Sequence, residues 1–339
     1  MILFKCFNGL PIEYESFLLE RYDSYITTCQ YVQIYYPMHD INYMLVYDDN
    51  NLIELMLFGN KGSTATCFNS LVNIEQDIVE RFTIELFMQF PSIKKIQIIA
   101  SYKSYDLNRS FLNFQSDDQI LDLPGTVEDY YLELGAKTRK HIKQRKERLI
   151  KEFESVNFVV KYGEEIEKSV VDKIMQMSTK RMKSKGRKTE RCEITVNNTY
   201  KFSQSYGCVA YIEVNGEIIA GCIASSLNKA VYAHVLAHDE AFFKYNPGDA
   251  CIFFLIQTSI EKGMSVFHFL WGKMEYKRRL LAKSNLLYSY SVYRTYSLNY
   301  VFSKIKAIDF NFFIRIKNSE LSKPLREAIK SYRKRTWKT

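Results

Sequence analysis

Residues 208–270 constrain the fold more than any other stretch of the chain. Cys208–Val214 has strand composition and runs into Asn215-Gly216, a dipeptide well suited to a two-residue hairpin turn. Glu217–Leu227 returns, Asn228-Lys229 makes a second tight turn, and Ala230–His238 forms a third strand. Tyr245-Asn246-Pro247-Gly248 interrupts the pattern, and helical spacing follows from about Asp249 to Lys262, with Gly263 as a natural stop. Val266–Leu270 is a further strand. An antiparallel meander followed by a helix and another strand implies an α/β (α+β) layer with a mixed, largely antiparallel sheet.

The chain has 339 residues, for which two domains are the ordinary expectation. The first unit, 1–120, carries a strand pair at Tyr43–Tyr47 and Leu52–Phe58 around an Asp-Asp-Asn-Asn turn. Ile74, Ile78, Phe82, Leu86 and Phe90 mark a helix over Asn73–Phe90, and Lys94–Ala100 is a strand. Leu123-Pro124-Gly125 is a break and sets the boundary of a second unit, 121–339. Thr126 and Asp129 resemble a capping box that opens a basic linking helix over about 126–153, with an interruption at Gly135. A strand at Val156–Lys161 and a helix at Glu164–Lys183 follow, then a polar loop over Ser184–Asn198. The basic tail Lys323–Thr339, with Trp337, reads as helical.

The net charge of +9 favours an anionic partner. Much of it is local: Lys137, Arg139, Lys140, Lys143, Arg145, Lys146, Arg148 and Lys151 form one cluster, and Lys180, Arg181, Lys183, Lys185, Arg187 and Lys188 a second. Either is a solvated face or an electropositive rim for an anionic donor or acceptor. A tRNA partner ranks lower, because aromatics do not interleave with the basic run and no RNA-binding module is present. The seven Cys are widely spaced with no C-x-x-C pair, which argues against a disulfide framework or metal site. The N-terminal segment does not read as a signal peptide and no apolar run approaches a membrane span. The expected location is cytoplasmic, with room for a peripheral contact at the inner face of the membrane.

The richest chemistry lies between Tyr232 and Leu280. Strict alternation along Ala230–His238 would turn Val231, Ala233, Val235 and Ala237 one way and Tyr232, His234, Leu236 and His238 the other. Imidazoles suit proton transfer near neutral pH, while Asp239 reads equally well as a cap. Asn246, Gly248, Asp249 and Ala250 open the next helix, where free N–H groups and a missing side chain would admit a phosphate. Tyr276 and Lys277 follow the last strand, either in a cleft or at an exposed helix start.

Taken in order, Asp239, Asn246-Pro247-Gly248, Gly272 and Tyr276-Lys277 resemble the signature of the CelD/BcsL-type GNAT acetyltransferases, relatives of the FemAB aminoacyl transferases. The basic segment Tyr130–Leu149 is similar to the helix that precedes their catalytic half, and the likeness covers about Leu121–Ser297. It implies tandem GNAT-like units, the N-terminal one degenerate, and acyl transfer from acetyl-CoA or another acyl-CoA to an amine or hydroxyl of a small polar acceptor, such as a sugar precursor of a surface polysaccharide. His234, His238 or Asp239 would serve as base and Tyr276 as proton or hydrogen-bond donor. Asn246, Gly248, Asp249 and Ala250 would hold the cofactor, and Lys277, His268 and Arg139 an anionic acceptor, with no metal. His268 departs from the pattern, standing where the family has an acid. The rival readings are a FemAB-like aminoacyl transferase fed by charged tRNA and a non-catalytic binding protein of the same fold.

Overall fold

The computed structural model describes residues 2–184, 186 and 193–295, with 114 and 115 by backbone alone. Lys185, Arg187, Lys188, Cys192 and the tail Lys323–Thr339 lie outside the described residues.

One element order runs twice. Strand β1 (Ile2–Asn8) is followed by helices α1 (Glu15–Tyr22) and α2 (Cys29–Tyr35), and then by strands β2 (Asp40–Asp48), β3 (Asn51–Lys61) and β4 (Thr64–Cys67). Helix α3 (Gln76–Gln89) leads to β5 (Lys95–Ser101) and β6 (Ser110–Asp122). Two helices, α4 (Val127–Glu133) and α5 (Ala136–Glu152), connect to the second round. It comprises β7 (Val156–Tyr162), α6 (Lys168–Ser184), α7 (Glu193–Tyr206), β8 (Gly207–Val214), β9 (Glu217–Leu227), β10 (Ala230–His238), α8 (Pro247–Glu261), β11 (Val266–Trp271) and β12 (Lys283–Tyr293), with the short helix α9 (Glu275–Arg279) before the last strand. The α/β reading therefore holds. The polar stretch 184–198 departs from the expected loop, because Glu193 already opens α7, which buries Phe202 and Ser203.

All twelve described strands form one mixed sheet, in the order β1-β2-β3-β4-β5-β12-β6-β11-β10-β9-β8-β7. The last strand of each round has crossed over. β12 pairs with β5 of the first round, β6 pairs with β11 of the second, and β6 and β12 pair with each other from Lys283↔Ile120 to Val292↔Ser110. Only β4/β5 and β10/β11 are parallel, because in each case a helix carries the chain back across the sheet. α8 lays Ile252, Leu255, Ile256 and Ile260 against β8 and β9, each no more than 5% exposed. Gly221 is forced by the opposite layer: a Cβ there would lie 2.4 Å from Ile174 of α6.

The linking region obeys its caps. Thr126 Oγ1 accepts from Asp129 N at 3.1 Å, and the helix breaks at Leu134-Gly135 before α5 starts.

Because β5 and β6 each need a partner from beyond residue 260, fragments 1–124 and 125–339 expressed separately should fail to give monodisperse folded protein, whereas co-expression should give one complex on size exclusion. Two independently folded fragments would contradict the exchange.

Candidate functional site

The two parallel strand pairs differ in one respect. In the first round the ladder continues past β4: Leu71 N donates to Ala100 O at 2.8 Å, and Tyr102 N to Val72 O at 3.2 Å. The gap at that end of β4/β5 is stitched shut. In the second round, β10 and β11 pair from Ala230↔Val266 only to Tyr232↔His268 and then part.

Two features accompany the parting. The β9/β10 register slips between Ala233 and Val235, so His234 is an extra residue, a β-bulge. The bulge overturns the strict alternation expected from the sequence. Val231, Ala233 and Leu236 pack with the α8 side, while Val235 and Ala237 pack against α6. On β11, Lys277 reaches back from α9 and its Nζ donates to Phe269 O, Leu270 O and Trp271 O at 2.9, 3.1 and 2.8 Å. Those carbonyls end the strand, and the ammonium supplies the donors that a neighbouring strand would otherwise provide.

A cavity of about 350 Å³ occupies the parting. His234 and His238 line it from β10, Asn246, Gly248 and Asp249 from the start of α8, and Tyr276 and Lys277 from α9. Arg181 of α6, a member of the second basic cluster, also reaches it, as does Trp271 of β11, which the sequence reading did not place in a site. Asp239, Ala250, His268 and Arg139 do not line it. Asp239 caps the turn after β10, accepting from Ala241 N at 3.0 Å. Ala250 faces α5 across a separate groove. Arg139 caps α4, donating to Leu132 O and Leu134 O, because α5 starts beside the carbonyl end of that helix.

Burial brings His234 down to about 4, and its Nε2 lies 2.8 Å from Ser225 Oγ, with Tyr25 edge-on to the ring. It is therefore neutral near pH 7. Burial raises the Tyr276 hydroxyl, which stays protonated. Burial lowers the Lys277 ammonium to about 8, partly opposed by the nearby Asp118 carboxylate. At the mouth, Asp249 Oδ2 holds Arg145 at 2.9 Å, Arg279 at 3.2 Å and Asn246 Nδ2 at 3.0 Å. A Cβ on Gly248 would sit 3.0 Å from His238 Nδ1, so the glycine makes room for that ring.

Residues 136–278 match the family model described as an acetyltransferase (GNAT) domain. The match starts with α5 and ends in α9, so it contains the whole cavity wall from β10 to Lys277. In solved structures a likeness of fold extends over both rounds. The crystal structure of FemX superposes with a TM-score of 0.63 at 8% identity, over 89% of this chain and 100% of that one. The C-terminal domain (DUF2156) of a putative lysylphosphatidylglycerol synthetase from Agrobacterium fabrum gives 0.54 at 11%, over 88% and 95%. A tandem GNAT protein from the clavulanic acid biosynthesis pathway gives 0.50 at 7%, over 88% and 100%. At these identities the likeness is one of fold. No curated protein matches the sequence. Among the described residues, no helix is long and apolar enough to cross a membrane and no cluster of metal-ligating side chains occurs.

Two outcomes follow from this geometry. The low value of His234 means that the unfolded chain takes up its proton first as the pH falls, so this residue's contribution to stability should be lost between pH 6.5 and about 4. Urea midpoints should therefore fall less steeply over that window in His234→Gln than in the wild type. Lys277→Met strands three carbonyls and should cost about 3 kcal/mol in urea unfolding, whereas Lys283→Met at the exposed end of β12 should change stability by less than about 0.5 kcal/mol.

Proposed function

We propose that the second round is the catalytic unit of a GNAT-type acyltransferase, of the CelD/BcsL kind, and that the first is its structural partner. In this reading the donor is an acyl thioester such as acetyl-CoA, and the acceptor is an amine or hydroxyl of a small polar molecule, of which a sugar precursor is one example. The observation that carries the reading is the unclosed parting of β10 and β11 beside the bulge at His234. A bulge leaves local backbone groups outside the regular ladder, and an N–H there suits the oxygen of a carbonyl laid between the strands.

The side chains divide the remaining work. Tyr276, held protonated, can deliver a proton to the leaving sulfur. His234, near 4, is ill-matched to general-base work at neutral pH and serves to hold the bulge against Ser225. The donor's diphosphate would meet Arg145 and Arg279 at the start of α8, where Asp249 now pairs with both. Lys277 acts through the strand it terminates, keeping the cleft open and positive at its floor.

A second reading, an aminoacyl donor carried on tRNA, draws on α5. Lys137, Lys140, Lys143, Lys146 and Lys151 are exposed along this helix. The two readings separate in a thermal-shift series with acetyl-CoA, longer acyl-CoAs and aminoacyl-tRNA at low and high salt. A ligand at 100 times its Kd should add about 2.7 kcal/mol of apparent stability. The acyl-CoA reading expects a shift with acetyl-CoA that is weakened in Gly248→Val, whose side chain would displace His238. A shift with tRNA alone, lost at high salt, would favour the second reading. No shift with any of them would refute both.

A further inference from the structure

His268 stands where the resemblance expects an acid, yet the structure surrounds it with the parts of one. It pairs with Tyr232 in the last rung before β10 and β11 separate, which puts it at the apex of the cleft. His268 keeps 7% exposure without lining the cavity itself, whereas the next residue, Phe269, lines it, as does Lys277. His268 Nδ1 lies 2.7 Å from Asp118 Oδ2. Asp118 is fully buried on β6, and the same oxygen accepts from Tyr102 OH at 2.7 Å. Tyr232 stacks on the imidazole at 4.3 Å and 13°, and its hydroxyl is tied to Asp23 O. The ring is thus fixed in plane by the stack and in rotation by the carboxylate.

The geometry points to His268 as the base that takes the acceptor's proton, with Asp118 as its positioning residue; the inference rests on the acyltransferase reading above. With Nδ1–H committed to Asp118, Nε2 carries the free lone pair. The acceptor's nitrogen or oxygen attacks the carbonyl carbon of the acyl donor, forming the new C–N or C–O bond. Its proton passes to His268 Nε2, the C–S bond breaks, Tyr276 protonates the departing thiolate, and the proton held by His268 restores the Tyr276 hydroxyl, giving acylated acceptor and free thiol. A purely structural role accounts less well for the arrangement. Asp118 Oδ1 is buried with no partner among the described residues, and a buried carboxylate oxygen left unpaired costs stability. The other charged or titratable groups facing the pair are Tyr25, Tyr102, Tyr232, Asp23 and the Lys277 ammonium.

The test uses the full chain and three readouts. Imidazole ¹⁵N NMR should show His268 as the Nδ1–H tautomer, and Asp118→Asn should lose that preference while keeping the fold by circular dichroism. Diethyl pyrocarbonate with peptide mapping should acylate His268 in the folded wild type, and acetyl-CoA should protect it. Single-turnover transfer from acetyl-CoA to a panel of small amines and amino sugars should fall about 10²- to 10⁴-fold in His268→Gln with KM unchanged, and by at least about 10-fold in Asp118→Asn. A ring that does not react in the folded chain, a tautomer indifferent to Asp118→Asn, or full transfer by either variant would overturn the assignment. A wild type that neither binds nor transfers from acetyl-CoA defeats the donor reading instead, while the tautomer and the acylation of Nε2 still decide the pair.

Discussion

Buried backbone N–H and C=O groups have to be paired, and this requirement shapes both the sheet and the cleft. A six-strand round of this kind ends with an open sheet edge at its fifth strand. Here each round closes the edge of the other, and the two donated strands then pair between themselves. The result is one continuous sheet with its seam in the middle. The same requirement decides where a ligand can enter. Past β4 the amides of Leu71 and Tyr102 find Ala100 and Val72, so β4 and β5 do not part at that end. Past β11 the carbonyls find a lysine side chain, and the space beside them stays available.

The seam gives the first round a chemical role as well as a mechanical one. Asp118 and Tyr102 belong to its strands or follow them, yet they face His268 of the second round. Tyr25 from the first round packs edge-on against His234 at 4.6 Å. The half with the stitched-up cleft therefore furnishes the wall behind the half with the open one. Tyr25 and Tyr31 of the first round and Phe202 and Tyr232 of the second form an aromatic layer that joins the rounds.

Much of the second round was legible because its strands are apolar and its turns explicit. Asn215-Gly216 and Asn228 both adopt positive φ, as those turns demand. The start of α8 and the apolar stripe from Ile252 to Ile260 were equally plain. The two strands that matter most were not. β6 carries Ser116, Asp117, Asp118 and Gln119 in its centre, and β12 alternates serine with tyrosine, so neither has the apolar signature of a central strand. Their polar residues are satisfied by one another and by distant groups, such as Asn113 with Ser291, which no local window reveals. Asp118 escaped notice for the same reason: an Asp-Asp pair reads as a turn until the β6/β11 register, which sets Ile120 opposite His268, brings Asp118 diagonally beside that histidine. Lys277 was legible as unusual, but its partners, three carbonyls of the preceding strand, depend on the return of α9. The bulge at His234 left no mark in the residue pattern, and without it the facing of the later residues in β10 was misassigned.

The exchanged strands also impose an order on biosynthesis. Ala100 N and Ser289 Oγ, 3.0 Å apart in the finished sheet, are separated by 189 residues of chain. A ribosome adding about 5–20 residues per second needs roughly ten seconds or more to traverse that distance. Throughout that interval β5 has been made and its partner has not. The nascent first round waits with an apolar edge uncovered, the kind of surface that recruits chaperones or neighbouring chains. For this protein, the time taken to complete β12 is a physical parameter of its yield, and slow codons or low temperature between the two rounds would prolong the exposure of an edge that the native fold conceals.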